Sequence, residues 1–237
     1  MIDEIVILAG GLATRLYPVT KKIPKSMLDI VGKPFIAHQL DLLKKNEFKK
    51  VVVCAGFLGE QIQEFVKDGS EFGLHVLYSF DGDEPLGTGG AIKKALPLLD
   101  DVFFVMYGDS YLNVEFKSIN EYFVSENVGG LMTVLENDNK WDVSNVEFEN
   151  GKILNYDKDN LTDKMKYIDY GLGVFHRNVF DLYEKKKVFD LADLYKDLLK
   201  KKELLGYAVK ERFYEIGSQK GLIATREYFT RLCKQTN

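Results

Sequence analysis

Three short apolar runs in the first half of the chain restrict its possible folds more than any other feature. They cover residues 5–9, 51–55 and 102–106 and are rich in Val, Ile and Phe. Each run is apolar on both faces, which is typical of a strand buried in a parallel sheet. The stretches between and beside them carry apolar residues at helical spacing, at 35–43, 62–66 and 91–99. Strands that alternate with helices predict an α/β fold, a Rossmann-like doubly wound, mixed and mostly parallel sheet flanked by helices.

The second half of the chain has a more mixed pattern. Residues 146–154 predict a hairpin that turns at Asn150-Gly151, and residues 168–175 predict another strand. Two amphipathic helices are predicted after them, at 189–199 and 222–232. Because no Pro/Ser-rich linker and no internal repeat interrupts the sequence, we expect one domain over residues 1–237, with halves 1–112 and 113–237.

Charge and hydropathy argue against several classes of partner. The 36 acidic residues outnumber the 32 basic ones, whereas proteins that bind nucleic acid non-specifically usually carry a basic excess. No apolar run approaches the ~20 residues of a membrane span, and the acidic start is unlike a signal peptide. We therefore expect a cytoplasmic protein with no nucleic-acid or membrane partner. Cys54 and Cys233 form no Cys-x-x-Cys pair, so we expect two small buried or half-buried side chains, not a disulfide or zinc ribbon.

Two glycines and two cations lie close together after the first predicted strand. Gly10 and Gly11 allow the backbone to approach a ligand and to present its N–H groups, and phosphate is the usual ligand of such a turn. Arg15 can bind phosphate oxygens in bidentate fashion, and Lys25 adds a mobile point charge. Neither Gly-x-Gly-x-x-Gly nor Gly-Lys-Ser/Thr is present, so the dinucleotide fingerprint and the P-loop are not indicated. The pattern predicts a site for a phosphorylated ligand.

Six motifs follow one another along the chain. They are residues 8–16 with Pro18, Thr20, Pro24-Lys25 and 32–34, then residues 84–91, 107–110, 156–158, Tyr170-Gly171 and 215–218. Together they resemble the signature of the sugar-1-phosphate nucleotidyltransferases, also called NDP-sugar pyrophosphorylases. Residues 85–91 and 108–112 are most similar to the bacterial mannose and D-glycero-D-manno-heptose 1-phosphate guanylyltransferases. The resemblance implies a fold of the nucleotide-diphospho-sugar transferase type.

The resemblance also implies a reaction and a set of site residues. A nucleoside triphosphate and a sugar 1-phosphate would give an NDP-sugar and pyrophosphate by in-line attack on the α-phosphate, with Mg²⁺ as cofactor. The implied catalytic residues are Arg15 for the β and γ phosphates, Lys25 for the α-phosphate and Asp109 for the metal, with Glu215 as second metal ligand. Nucleotide contacts are implied for Leu8, Ala9, Gly10, Gly11, Thr14, Gly87 and Thr88. Sugar-phosphate contacts are implied for Asn145, Asp157, Lys158, Tyr170 and Gly171.

By the same resemblance, the first half of the chain binds the nucleotide and the second half the sugar phosphate. Thymidylyl and uridylyl relatives often carry a glutamine just before the second motif, but residues 79–87 contain none, and this favours GTP. The implied product would serve pathways such as surface polysaccharide synthesis. The resemblance leaves a homo-oligomer open.

Three positions depart from the family pattern. Ala13 stands where a glycine is usual, and it would strain the loop by roughly 1 kcal/mol if φ had to be positive. Glu215 replaces an aspartate, and Asn145 replaces a glycine that faces the sugar. These changes leave open a non-catalytic sugar-nucleotide-binding regulator, or a transferase of the same fold that acts on a non-sugar phosphate such as phosphocholine. Trp141 fits either the sugar pocket or core packing. An esterase with Ser110 as nucleophile is disfavoured, because no histidine has an aspartate three residues before it.

Overall fold

The computed structural model describes residues 1–11 and 14–235. Its strands are β1 (Glu4–Ala9), β2 (Asp29–Ile30), β3 (Lys33–Pro34), β4 (Lys50–Ala55), β5 (His75–Phe80), β6 (Val102–Tyr107), β7 (Ser110–Tyr111), β8 (Gly130–Glu136), β9 (Val146–Glu149), β10 (Lys152–Tyr156), β11 (Tyr167–His176), β12 (Leu204–Val209) and β13 (Tyr214–Glu215). Its α-helices are α1 (Phe35–Lys45), α2 (Gly59–Val66), α3 (Gly87–Ala95), α4 (Phe116–Ser125), α5 (Leu191–Lys201) and α6 (Gln219–Gln235). Short 3₁₀ helices connect several of these elements.

Nine of the described strands form one sheet. Its main path runs β10-β9-β11-β6-β1-β4-β5, and β8 pairs with both β11 and β12. The strands β5, β4, β1 and β6 are all parallel, whereas β11 runs antiparallel to β6 and β8. The predicted α/β class and the mixed, doubly wound sheet are therefore confirmed. The four-stranded parallel part lies in the first half of the chain, and the second half adds one parallel pair, β8 with β12.

The sheet is covered on both faces, as the strand pattern predicts. Along β1, Ile5 and Ile7 belong to one buried cluster and Val6 belongs to another on the opposite face, and none of the three is exposed. Helices α1, α2 and α4 contribute to the first cluster, and α3 and α5 to the second. Burying each such aliphatic side chain contributes about 1.5–3 kcal/mol to folding.

Most predicted elements are present with small shifts at their ends. The β9–β10 hairpin turns at Asn150 and Gly151, which have φ of 50° and 78°. The helix predicted at 189–199 begins later, at Leu191, because Asp190 caps it in a reciprocal box with Asp193. Cys54 is buried as expected, but Cys233 is exposed, because it lies near the end of α6, where residues 233–235 face the solvent.

The parallel strands place two loops at one edge of the sheet. In the order β5-β4-β1-β6 the winding reverses direction between β1 and β6, and open α/β sheets bind ligands at the carboxyl ends of strands at such a point. Gly10-Gly11 follow β1 and Gly108-Asp109 follow β6. None of the helices in the described part of the chain combines the length and hydropathy needed to cross a membrane.

Candidate active site

Two cavities open at this edge of the sheet. The first, here called the glycine cavity, has a volume of about 360 Å³ and includes Gly10, Gly11, Gly87 and Gly108 in its wall. The second, here called the Lys158 cavity, has a volume of about 420 Å³ and lies towards the second half of the chain. Tyr107 and Asp109 line both cavities, so the end of β6 forms their common wall.

An ion pair occupies this common wall. Lys25 Nζ donates a hydrogen bond of 2.6 Å to Asp109 Oδ2, and the two side chains are 20% and 27% exposed. The next residue, Ser26, donates its hydroxyl to the carbonyl of Gly108 at 3.2 Å, which ties the two loops together. A charge-assisted hydrogen bond in a half-open site is stronger than one on the surface, yet both groups remain within reach of a ligand. Two of the three implied catalytic residues therefore lie in contact.

A buried amide supports the same wall from below. The side chain of Gln39, on α1, is fully buried and donates from Nε2 to the carbonyls of Tyr107 at 3.0 Å and Ser110 at 2.8 Å. These bonds fix the backbone on both sides of Asp109, because buried carbonyls are costly to leave unpaired. The motif comparison missed Gln39. Its only signal in the sequence is an amide on the apolar face of a helix.

Glu215 reaches the site through a short antiparallel pair. In the pairing of β13 with β7, Glu215 lies opposite Ser110, and the backbone N–H of Ile216 donates to the carbonyl of Asp109 at 2.9 Å. The Glu215 carboxylate accepts hydrogen bonds from the backbone N–H of Gly217, from the Ser218 N–H at 3.0 Å and from the Ser218 hydroxyl at 2.5 Å. It thus lies at the N-terminus of α6, where the helix dipole favours negative charge.

The two acidic residues converge on one point. A Cβ atom added at Gly217 would lie 3.0 Å from Asp109 Oδ2, 3.0 Å from Glu215 Oε2 and 3.7 Å from Lys25 Nζ. Gly221 gives the longer glutamate its room, since a side chain there would collide with the Glu215 carboxyl group. Mg²⁺ is usually held by one or two carboxylates together with substrate phosphates. Asp109 and Glu215 therefore match this ion in donor type.

Most of the implied nucleotide contacts lie in the wall of the glycine cavity. They are Leu8, Ala9, Gly10, Gly11, Gly87 and Thr88. The Thr88 hydroxyl is already engaged, since it donates to Asp190 at 2.6 Å and accepts from the Leu191 N–H at 2.7 Å. Thr14 is exposed in the 3₁₀ helix Thr14–Leu16 and does not line the cavity. The expectation about Ala13 lies outside the described residues.

Arg15 occupies a different place from the one its implied role suggests. It is exposed and lines the Lys158 cavity, and it is not part of the wall of the glycine cavity. The structure thus brings Arg15 together with Lys158 and Glu215, and places Lys25 at the glycine cavity.

Asp81 adds a carboxylate to the glycine cavity. It is the first residue after β5, and its Oδ2 lies 3.1 Å and 3.2 Å from the positions that a Cβ would take at Gly10 and Gly56. Burial raises the pKa of Asp81, while the backbone N–H of Leu86 and the charge of Lys94 oppose that rise. The motif comparison did not select Asp81. The signal was available, because a polar residue directly after a parallel strand lies at the ligand-binding edge.

The Lys158 cavity contains four of the five implied sugar-phosphate contacts. Asn145, Lys158, Tyr170 and Gly171 line it, and Lys158 Nζ lies 5.8 Å above the ring of Tyr107. Trp141 packs against Phe213, with 6.4 Å between the ring centroids, and it does not line the cavity. The structure therefore favours a packing role for Trp141 over a place in the sugar pocket.

Asp157, the fifth implied contact, lies outside both cavities. Its carboxylate accepts from the backbone N–H groups of Asp159 at 2.8 Å and Asn160 at 3.0 Å, and it pairs with Lys196 of α5 at 3.0 Å. These backbone bonds and then the Lys196 ammonium hold the pKa of Asp157 below its ordinary value. Asp157 therefore stabilises the turn that presents Lys158.

Asp169 of β11 is a carboxylate in the wall of the Lys158 cavity that the family resemblance did not indicate. Its Oδ1 accepts from the Gly171 N–H at 3.0 Å, its Oδ2 accepts from the Tyr156 hydroxyl at 3.3 Å, and its own N–H donates to Asn145 Oδ1 at 2.9 Å. Burial raises the pKa of Asp169, and the nearby Lys158 charge opposes the rise. Its signal in the sequence is an acidic residue within an otherwise apolar strand.

Comparisons with known proteins agree on one family. The family described as nucleotidyl transferase matches residues 4–230. The UTP–glucose-1-phosphate uridylyltransferase of Synechocystis sp. is 29% identical over 213 residues, which cover 82% of this chain and 54% of that protein. The D-glycero-alpha-D-manno-heptose 1-phosphate guanylyltransferase of Campylobacter jejuni is 29% identical over 216 residues, which cover 90% of this chain and 94% of that protein.

A solved structure is similar over almost the whole chain. The crystal structure of HddC from Yersinia pseudotuberculosis has a TM-score of 0.81 and 25% sequence identity, and the match covers 96% of this chain and 100% of that one. The same protein is also known complexed with GMP-PN. The chain thus spans about half the length of the Synechocystis relative and nearly all of the Campylobacter and Yersinia proteins.

Proposed function

The chain belongs to the nucleotidyl transferase family, and from that premise we propose that it joins a nucleoside triphosphate to a sugar 1-phosphate and releases pyrophosphate. One observation carries the proposal. The glycine cavity and the Lys158 cavity share Tyr107 and Asp109, so two phosphorylated substrates can meet at the Lys25–Asp109 pair. A group transfer needs two substrates held in line, and paired cavities with a common wall supply that arrangement.

The glycine cavity takes the triphosphate in this proposal. Gly10 and Gly11 carry no side chain that would keep phosphate oxygens from the backbone N–H groups. Lys25 lines this cavity at its border with the Lys158 cavity, where the α-phosphorus is attacked. The attacking phosphate is already ionised at pH 7, so no general base is needed. What the residues supply is alignment, and positive charge where negative charge develops.

The Lys158 cavity takes the sugar 1-phosphate. Lys158 and the exposed Arg15 supply positive charge there, which offsets the repulsion between two polyanionic substrates. Asn145, Tyr170 and Gly171 line the same cavity and are available to the sugar. A hexose or heptose 1-phosphate is the acceptor that we propose.

Mg²⁺ is the cofactor that this chemistry calls for. Asp109 and Glu215 would hold it, because their oxygens converge beside Gly217. When bound, the ion neutralises charge on phosphate oxygens. Lys25, which lies 2.6 Å from Asp109 Oδ2, would add its own positive charge beside the nucleotide.

GTP is the nucleotide that we propose. Guanine presents two adjacent N–H donors on its Watson–Crick edge, and a carboxylate such as Asp81 can accept both. Uracil and thymine offer a single N–H between two carbonyl oxygens, which a carboxylate repels. The heptose 1-phosphate guanylyltransferase name of the Campylobacter relative supports the same choice. We place the reaction in the cytoplasm, where nucleoside triphosphates and sugar phosphates are found.

The test is pyrophosphate release with Mg²⁺, crossing GTP, UTP, CTP, ATP and dTTP with a panel of phosphates. The panel holds glucose, mannose, N-acetylglucosamine and heptose 1-phosphates together with phosphocholine. We expect turnover with GTP and a mannose or heptose 1-phosphate, and none in EDTA. Turnover with phosphocholine alone would support the non-sugar transferase instead. Nucleotide binding without turnover on any pair would support the non-catalytic regulator.

A further inference from the structure

We propose that a third cavity, between strands β10 and β12 and helix α5, binds an organic phosphate, and that this ligand lowers the affinity of the Lys158 cavity for its substrate. The third cavity has a volume of about 790 Å³, larger than that of the glycine cavity or the Lys158 cavity. This β10–β12 cavity is lined by residues 151–157, by Lys196, Leu199, Lys200 and Lys202, and by residues 204–206. Its effect on the Lys158 cavity rests on the proposed function, whereas binding to the β10–β12 cavity does not.

Positive charge predominates in the wall of the β10–β12 cavity. Four lysines line it: Lys152 of β10, Lys196 and Lys200 of α5, and Lys202, the residue after α5. Asp157 is the one carboxylate that lines it in the described part of the chain, and that group already accepts the Lys196 ammonium and two backbone N–H groups. Because Lys152 and Lys196 lie away from the end of α5, the lysines do more than complement the helix dipole. A concave wall that carries one sign of charge attracts ions of the other sign.

Two of these lysines are available to an anion. Within the residues that the structure describes, the ammonium groups of Lys152 and Lys202 form no ion pair, whereas Lys200 pairs with Asp197 at 3.0 Å. Lys202 also has a φ of 61°, in the left-handed region where a helix usually ends in glycine. A Cβ is disfavoured there, so the backbone geometry alone does not explain a lysine at this position.

The floor of the β10–β12 cavity is apolar. Ile153 is buried, and Leu199 and Leu204 are half-buried. The hairpin packs directly on β12, since a Cβ at Gly206 would lie 2.6 Å from the Phe148 ring. Inorganic phosphate would leave this floor in contact with water, whereas a ligand that joins a phosphate to an apolar body matches both the floor and the lysines. A nucleotide base and an isoprenyl chain are two such bodies, and the experiment below distinguishes them.

One ion pair connects the β10–β12 cavity with the proposed site of the sugar 1-phosphate. Lys196 Nζ lies 3.0 Å from Asp157 Oδ1, and both residues line the β10–β12 cavity. The next residue, Lys158, lines the Lys158 cavity. A phosphate in the β10–β12 cavity competes with Asp157 for the Lys196 ammonium and repels the Asp157 carboxylate. Both effects loosen the turn that presents Lys158, so the ligand lowers the affinity for the sugar 1-phosphate.

The first experiment measures binding by calorimetry with three probes: ADP, geranyl diphosphate and inorganic pyrophosphate. The variant is Lys152→Gln/Lys202→Gly, which removes both unpaired charges and gives position 202 the residue that its backbone favours. The matched control is Lys185→Gln/Lys201→Gln, because these two exposed lysines do not line the β10–β12 cavity. Lys25→Ala is measured as well, because the probes can also enter the glycine cavity. Circular dichroism checks that every variant is folded.

We expect ADP or geranyl diphosphate to bind Lys25→Ala at least about tenfold more tightly than pyrophosphate does. That binding should weaken about 10- to 100-fold when Lys152→Gln/Lys202→Gly is added, the range for hydrogen bonds to a charged group, and should be unchanged by the control pair. Tighter binding of ADP would identify a nucleotide as the ligand, and tighter binding of geranyl diphosphate a lipid phosphate. Binding that is lost in Lys25→Ala, that is unchanged in the cavity variant, or that is no tighter than for pyrophosphate would overturn the inference.

A second experiment tests the connection to the Lys158 cavity. Calorimetry measures the Kd of α-D-mannose 1-phosphate with and without a saturating amount of the tighter organic probe. In wild type the probe should raise that Kd about five- to tenfold, and the sugar phosphate should raise the Kd of the probe by the same factor, because coupling between two sites is reciprocal. Lys152→Gln/Lys202→Gly should abolish the effect, whereas competition within the active site would persist in that variant.

Asp157→Asn should also remove the coupling while the probe still binds, because the carboxylate that the ligand displaces is then absent. Equal affinity for the sugar phosphate with and without the probe in wild type would overturn the regulatory effect. Absence of turnover with every substrate pair would instead contradict the proposed function, and the first experiment would still decide whether the β10–β12 cavity binds an organic phosphate.

Discussion

The glycine cavity and the Lys158 cavity share a wall but are built in different ways. The glycine cavity consists of loops that follow the parallel strands β1, β5 and β6, so the topology alone brings its residues to one edge. The Lys158 cavity consists of side chains from the β9–β10 hairpin region, from the irregular strand β11 and from the β13 pair. The first arrangement follows from local sequence and winding, whereas the second depends on register shifts and long-range hydrogen bonds.

The largest expected effect is at the wall that the cavities share. Lys25→Ala and Asp109→Ala should each lower kcat by at least about 100-fold, as expected for removal of one preorganised charge. Lys33→Ala is the matched control, because Lys33 pairs with Asp41 at the same 2.6 Å but on the exposed surface. Steady-state kinetics on folded proteins make the measurement. Near-wild-type turnover in both site variants would show that Lys25 and Asp109 do not take part in catalysis.

A smaller effect should be confined to the glycine cavity. Asp81→Asn replaces the carboxylate that we pair with guanine, and we expect KM for GTP to rise about 30-fold with little change in KM for the sugar phosphate. An asparagine can pair with the N–H and carbonyl of xanthine, so KM for XTP should fall. Asp83→Asn, at an exposed position two residues further on, is the control. An unchanged KM for GTP would show that Asp81 does not bind the guanine base.

The support beneath the common wall should matter less than the wall itself. Gln39→Leu leaves the carbonyls of Tyr107 and Ser110 without their donor, and we expect about a tenfold loss of kcat and a loss of about 1–3 kcal/mol of stability. Urea unfolding and kinetics measure the two effects. Asn120→Leu removes another buried amide, which accepts the Ile2 N–H far from the cavities, and it should lower stability without lowering kcat. The same fall in kcat in both variants would show that kcat follows overall stability, and not the support that Gln39 gives to the common wall.

The smallest effect concerns the turn beside the Lys158 cavity. Backbone N–H groups and Lys196 hold the pKa of Asp157 below its ordinary value in the folded protein. The contribution of ionised Asp157 to the stability of the folded protein is therefore present above the unfolded pKa of about 3.9. It is lost as pH falls towards the folded pKa. Asp157→Asn should lower stability at pH 7 and reduce the loss between about pH 4 and pH 2. Asp163→Asn, at an exposed position, should follow wild type, and an identical pH slope for Asp157→Asn would contradict the assignment.

The difference between the cavities also explains what the sequence could predict. The buried strands and Gly10-Gly11 are visible in the sequence, because period and composition act over a few residues. The α/β fold follows from the alternation of such strands with helices, whereas the family follows from the resemblance of the six motifs, and both are confirmed. A common site for Lys25 and Asp109 could be predicted only from the motif resemblance, since the two residues lie in loops that are far apart in the sequence.

The Lys158 cavity was harder to predict for physical reasons. The resemblance selected Asp157, but its direction is set by Lys196 of α5, a partner that local sequence does not reveal. It did not select Asp169, whose approach to the cavity depends on the bulge at Gly171. Gln39 was missed because a buried amide on a helix gives the same pattern whether or not it braces a site.

The most direct test of the account measures both KM values in one variant from each cavity. Asp81→Asn and Asp169→Asn are assayed with GTP varied at saturating sugar 1-phosphate, and then with the sugar 1-phosphate varied at saturating GTP. The account predicts a crossed pattern, in which Asp81→Asn raises KM for GTP alone and Asp169→Asn raises KM for the sugar phosphate alone. If each variant raised both KM values by the same factor, the two cavities would not be separate substrate sites, and the account would be wrong.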